Sequence, residues 1–155
     1  MPNRFFSESF SHHLNKNCSL KVKVASDAET ISSPAVYLAP GGSHLRIENR
    51  SISLAEVSPD TLSPSIDMAM KSIAKAYQEN SIGIILSGIG NDGLKGMRSI
   101  KEAGGRTIVQ DESALIFGMP KAVIDAGLAD KVLPAQEIGA AILEEVVSSK
   151  HAESR

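Results

Sequence analysis

Hydrophobic residues recur along the chain in two rhythms, one helical and one extended. Phe6, Phe10 and Leu14 fall four residues apart, which predicts an opening helix with those three on its inner face. Leu20-Lys21-Val22-Lys23-Val24 then alternates apolar with polar, the period of a half-buried strand. An acidic, Ser-rich connector runs from Ser26 to Ser33, and Ala35-Val36-Tyr37-Leu38-Ala39 reads as a second strand stopped by Pro40-Gly41-Gly42. Leu45 and Ile47 answer Ile52 and Leu54 across an Asn49-Arg50 turn, so residues 44–56 are expected to form an antiparallel hairpin at a sheet edge. Ser58-Pro59-Asp60 and Ser63-Pro64 make a loop, with Ser63 as N-cap and Pro64 at the first helical position. Ile66, Met70, Ile73 and Tyr77 then line one buried helical face.

The middle of the chain changes rhythm abruptly. Gly83-Ile84-Ile85-Leu86 is too short for a helix and reads as a buried strand, whereas Leu94, Met97 and Ile100 carry helical spacing. Between them lies the glycine turn Ser87-Gly88-Ile89-Gly90-Asn91-Asp92-Gly93. The helix is expected to stop at Gly104-Gly105, followed by the strand Arg106-Thr107-Ile108-Val109-Gln110. Two short helical pieces are predicted near 112–117 and 120–126, the second with Pro120 at its start and Gly127 just past its end. Lys131-Val132-Leu133 is a last short strand, and Ile138, Ala141, Ile142 and Val146 stripe a final helix. From Ser148 the tail is polar and expected to fray. Strands alternating with helices imply parallel pairing with right-handed crossovers. The predicted fold is α/β: a three-layer α/β/α sandwich with a mostly parallel sheet and an antiparallel edge hairpin. One domain is expected over 1–148, with 149–155 as tail.

Composition narrows the partners. At 155 residues and 42% hydrophobic content, one core is expected. A net charge of −2 and a pI of about 6.1 carry no electrostatic footprint for nucleic acid or an anionic membrane. The single Cys18 excludes an internal disulfide framework, which suits a cytoplasmic protein. No apolar run approaches the roughly 18 residues of a spanning helix, and no signal-peptide core occurs near the start.

The turn after Leu86 supports three chemistries. Gly88-x-Gly90-x-x-Gly93 between a strand and a helix matches the dinucleotide fingerprint, with Asp111 ending the next strand where a ribose-binding acid is wanted. Against it, Asp92 would set a carboxylate beside a pyrophosphate, a like-charge contact. Alternatively, Asp92 caps the helix that follows by accepting its free N–H groups. In the third reading the glycines hold Asp92 at a strand's carboxyl end as the acid of a Ser-His-Asp arrangement, where it would orient an imidazole.

A longer series of motifs carries a resemblance. Ser87-Gly88-Ile89-Gly90-Asn91-Asp92-Gly93, Gly96-Met97, Ala103-Gly104-Gly105, Val109-Gln110-Asp111-Glu112, Phe117-Gly118-Met119-Pro120, Ala126-Gly127 and Ala129-Asp130 follow one another in order. Upstream stand Ala39-Pro40-Gly41, His44, Pro64-Ser65-Ile66-Asp67 and Met1-Pro2. The whole resembles the catalytic domain of chemotaxis protein-glutamate methylesterases of the CheB type. The resemblance implies a serine hydrolase that demethylates glutamates, and deamidates certain glutamines, on methyl-accepting chemoreceptors. It makes Asp92 the triad acid and puts the Ile89 and Gly90 backbone beside the oxyanion hole. A main-chain N–H does that work, so Ile89 serves where the family has methionine. Gln110 and Met119 would line the pocket, and His44 would stand at its rim. It implies no metal or cofactor.

Parts of the family pattern are missing. The nucleophile belongs to a Gly-x-Ser-x-Gly-Gly turn after the first strand, and the histidine immediately precedes the Met-Pro segment; neither motif occurs in these residues. Leu62-Ser63 also replaces a basic residue of the family. His12 and His13 are read as a solvated helical face, Ser87 as a local hydrogen-bonder and Cys18 as a small buried or half-buried thiol. The expectation is therefore a methylesterase domain lacking its first strand, truncated at the start and inactive by itself, with self-association through an exposed sheet edge. A non-catalytic binding module on the same fold is the alternative.

Overall fold

A computed structural model describes residues 4–57 and 63–152. The Met1-Pro2 segment, the Ser58-Pro59-Asp60 loop and Leu62 lie outside the described residues. The chain opens with helix α1 (Arg4–Asn17), strands β1 (Lys21–Val24) and β2 (Ala35–Leu38), and the hairpin β3 (Ser43–Glu48) and β4 (Ser51–Glu56). Helix α2 (Ile66–Tyr77) leads through a 3-10 turn to β5 (Ile82–Ile85), α3 (Leu94–Glu102), β6 (Arg106–Gln110), α4 (Gly118–Asp125), β7 (Lys131–Leu133) and α5 (Ala135–Ala152).

Parallel pairing follows the alternation of elements. Strands β5, β6 and β7 form one parallel sheet in that order, with Ile84 opposite Ile108 and Val109 opposite Val132. Consecutive residues of β6 face opposite ways, and both faces are covered. Val109 packs with Ile85, Met97 of α3 and Val123 of α4, whereas Ile108 packs with Ile138 and Ala141 of α5. This is the three-layer α/β/α arrangement. Met97 and Val109 are fully buried, each burial contributing about 1.5–3 kcal/mol. Strands β1 and β2 pair parallel as a second sheet. The hairpin forms as read, but as its own two-stranded sheet and not as an edge of the others. Its Leu45 and Ile52 pack with Ala25, Tyr37 and Ala69 of α2 in a separate core.

At the amino end of β6, Thr107 is fully buried and clasps Asp130, whose Oδ2 accepts the Thr107 amide at 2.9 Å. Lys101 Nζ meets the same carboxylate at 2.6 Å. Burial pushes the Asp130 carboxyl up, but the Lys101 ammonium and the Thr107 hydroxyl and amide outweigh it and hold its pKa below the usual value.

Five readings need correction. The opening helix forms, but Phe6 and Phe10 are 57% and 44% exposed and stack on each other, while Ser7 and Ser11 face inward. The helix docks by hydrogen bonds: Ser7 Oγ accepts the Gly41 amide, Ser11 Oγ donates to the Val22 carbonyl, and Asn15 Oδ1 accepts the Val22 amide. No helix forms at 112–117, because Asp111 Oδ1 accepts from both the amide and the hydroxyl of Ser113 and turns the chain. Ser65, not Ser63, is the N-cap of α2. Cys18 is exposed, and α5 continues beyond Ser148.

Candidate active site

The site begins where β5 gives out. Gly90 and Gly93 take φ of 86° and 98°, left-handed values that glycine adopts without strain, and the chain reverses into α3 between them. Asp92 stands in that reversal. Its Oδ2 accepts the Ile66 amide at 2.8 Å, and its Oδ1 accepts the Asp67 amide at 2.9 Å and the Ser65 hydroxyl at 3.3 Å. Asp92 is a cap, as one reading had it, but of α2 and not of the helix that follows. A carboxylate suits that place, since the first amides of a helix are unpaired and carry its positive end.

The favour is returned by Asp67 in the first turn of α2. Its Oδ1 accepts the amides of Gly93 at 3.0 Å and Gly96 at 2.7 Å, the start of α3. Such proximity of two helices needs a residue without a side chain: a Cβ on Gly96 would lie 2.6 Å from Met70 Cβ. The same exchange disposes of the dinucleotide reading, because the α3 amides that would bind a pyrophosphate already serve Asp67. Asp111, the proposed ribose acid, serves Ser113 instead.

His44 joins this group from β3. It is buried, and its Nδ1 accepts the Ser65 amide at 3.1 Å. It lies within the packed hydrogen-bonding network and not at an open rim.

The other side of the turn is stitched to a second loop. Gln110 Oε1 accepts the Ser87 amide at 3.0 Å, and Ser87 Oγ accepts the Ile116 amide at 2.9 Å, the local bonding role read for Ser87. Gly88 donates to the Ile116 carbonyl and accepts from the Met119 amide, each at 2.9 Å. Met119 packs over Gly88, where a Cβ would come within 2.3 Å of its sulfur. Ile89 projects outward, 81% exposed. Thus the structure brings Asp92, Ser65 and His44 together on one side of the turn, and Gln110 and Met119 on the other, with Ile89 and Gly90 between.

Ser65 and Asp67 were given no role from the sequence. A signal was present, since Ser followed by an acid in a first helical turn is an N-terminus signature, but Ser63-Pro64 competed for it. Among the described residues, no three His, Cys, Asp or Glu side chains converge as a metal site.

The acceptor count defines what Asp92 can still do. A carboxylate offers about four acceptor positions; Oδ1 uses two and Oδ2 one, so a further donor such as an imidazole N–H has a place on Oδ2.

The comparison with known proteins bears directly on this geometry. Residues 1–142 match the family model described as CheB methylesterase. The chain belongs to the CheB methylesterase family. It is 41% identical over 145 residues to the protein-glutamate methylesterase/protein-glutamine glutaminase 1 of Geobacter sulfurreducens, covering 88% of this chain and 40% of that protein. The protein-glutamate methylesterase/protein-glutamine glutaminase of Bordetella parapertussis is 40% identical over 153 residues, covering 94% of this chain and 44% of the relative. The chain therefore spans about two fifths of the length of these CheB relatives. The crystal structure of the Thermotoga maritima CheB methylesterase catalytic domain superposes with a TM-score of 0.85 at 37% identity, over 93% of this chain and 79% of that one. The α/β architecture is thus the CheB catalytic-domain fold. Among the described residues, no helix is long and apolar enough to cross a membrane.

Proposed function

We propose that this chain is the acid-bearing part of a protein-glutamate methylesterase domain that acts, as serine hydrolase and glutamine deamidase, on methyl-accepting chemoreceptors in the cytoplasm. In this reading Asp92 orients the catalytic imidazole, the Ile89-Gly90 backbone borders the oxyanion hole, and Gln110 and Met119 shape the pocket. The observation that supports it is the state of Asp92. Three donors fix the carboxylate at a strand tip while one acceptor position remains, which is what orienting an imidazole requires. No Gly-x-Ser-x-Gly motif occurs in the 155 residues, and in this reading the nucleophile and the imidazole are supplied by polypeptide outside them. The same carboxylate serving α2 favours the second reading, a non-catalytic binding module in which Asp92 is purely structural.

Two measurements separate these readings. The 155-residue chain should leave p-nitrophenyl acetate unhydrolysed above buffer, and turnover abolished by Asp92→Ala would overturn the incompleteness. The in-frame DNA before residue 1 should encode Gly-x-Ser-x-Gly-Gly and a histidine next to Met1. A frame without them leaves the binding module.

A further inference from the structure

The bonds between α2 and α3 form a closed exchange. The Asp67 amide donates to Asp92 Oδ1 at 2.9 Å, and the amide after Asp92, that of Gly93, donates to Asp67 Oδ1 at 3.0 Å. Each acid therefore neutralises the positive end of the other's helix. A carboxylate on a glycine turn has many positions open to it unless the backbone on both sides is held. Before Asp92 the backbone is held by the Ser87 and Gly88 bonds; after it, the hydrogen bonds are those of Asp67 to Gly93 and Gly96 and those of α3 itself.

We infer that Asp67 is the positioning residue for Asp92: by gathering the Gly93 and Gly96 amides it fixes the turn so that the Asp92 carboxylate sits on the α2 N-terminus with one acceptor position left over. Asp67 touches no substrate and acts only through Asp92. The catalytic meaning rests on the reading of Asp92 as the triad acid; the coupling itself does not.

The inference separates Asp67 from an ordinary first-turn acid. An acid that merely favours its own helix end stabilises α2 and leaves α3 indifferent. A positioning residue transmits to the far side of the turn. Chemistry also limits the replacements: asparagine keeps an acceptor oxygen at the same distance, whereas alanine keeps none.

The test is hydrogen exchange and carboxyl carbon-13 NMR on the 155-residue chain and its Asp67→Ala and Asp67→Asn variants. Asp67→Ala should speed exchange about tenfold at Gly93 and Gly96 and, after correction for the altered neighbour, at Ile66, whose partner Asp92 is untouched. It should also move the Asp92 carboxyl resonance. Asp67→Asn should restore all three amides to within about threefold of the parent and return the resonance. Exchange that rises at Gly93 and Gly96 with Ile66 and the Asp92 resonance unchanged overturns the inference, as does failure of Asn to restore them. Should Asp67→Ala not fold, Asp67→Ser takes its place, since its shorter side chain does not span both amides, and the same outcomes decide. Coupling found intact in a chain whose upstream frame encodes no serine motif would sink the methylesterase reading and leave the coupling standing.

Discussion

Asp67 and Asp92 cap each other's helices across the α2–α3 contact, one through Gly93 and Gly96 and the other through Ile66 and Asp67. The exchange demands close approach, and Gly96 permits it. For Gly96→Ala, overpacking against Met70 should cost about 2–3 kcal/mol, the upper half of the usual range, because the added Cβ meets the backbone-fixed Met70 Cβ at 2.6 Å; roughly 1 kcal/mol is gained in helix propensity. Urea denaturation should therefore show a net loss of about 1–2 kcal/mol with unchanged slope. A variant as stable as the parent would mean that the helices are not in contact as described.

The loops around the turn differ in what they tolerate. A Cβ on Gly88 would meet the flexible Met119 thioether, whereas one on Gly118 would lie 2.9 Å from the Gly88 carbonyl and 3.1 Å from the Gly90 nitrogen. Side chains yield more readily than backbone. Gly118→Ala should therefore destabilise by about 2 kcal/mol or more and Gly88→Ala by about 1 kcal/mol or less, read from denaturation midpoints. The reverse order would refute the stitching of the two loops.

Asp130 predicts a limb of the pH–stability curve. Its pKa in the folded chain lies below the ordinary 3.8, so its contribution is fully present above that value and is lost as pH falls through the folded one. Thermal melts between neutral and strongly acid pH should show this loss, and Asp130→Asn should lower the neutral plateau and shallow the acid limb. An unchanged limb would assign acid sensitivity to other carboxylates.

Exposed apolar surface predicts association. Phe6 and Phe10 stack in the open on α1, and β5 is an edge of its sheet among the described residues. Light scattering should show a mass that rises with concentration, and Phe6→Ser with Phe10→Ser should reduce it. A monodisperse monomer throughout would rule this out.

Much of the architecture was legible because its signals are local and redundant. The β5–turn–α3 unit announces itself by an apolar run, glycines at positive-φ positions and a helical stripe, and all three agree. Helix α1 was found but turned the wrong way, because periodicity reports which residues are apolar and not what covers them; its docking side proved to be Ser7, Ser11 and Asn15. The site was half legible. Gln110 bonds to Ser87 and Met119 packs at Gly88 in the turn that carries Asp92, yet which helix Asp92 serves depends on a contact between residues 26 apart in sequence. No local pattern encodes that separation. Asp111 shows the opposite failure, where one Asx turn cancelled a plausible helix.

The joining of Ser87 and Gly88 to Ile116 and Met119 has a mechanical consequence. Two segments far apart along the chain are riveted into a single plate, so a push on the outward-facing Ile89 is carried by β5 and α4 together. Force applied at that side chain enters the fold within two residues of the three hydrogen bonds that tie the two segments.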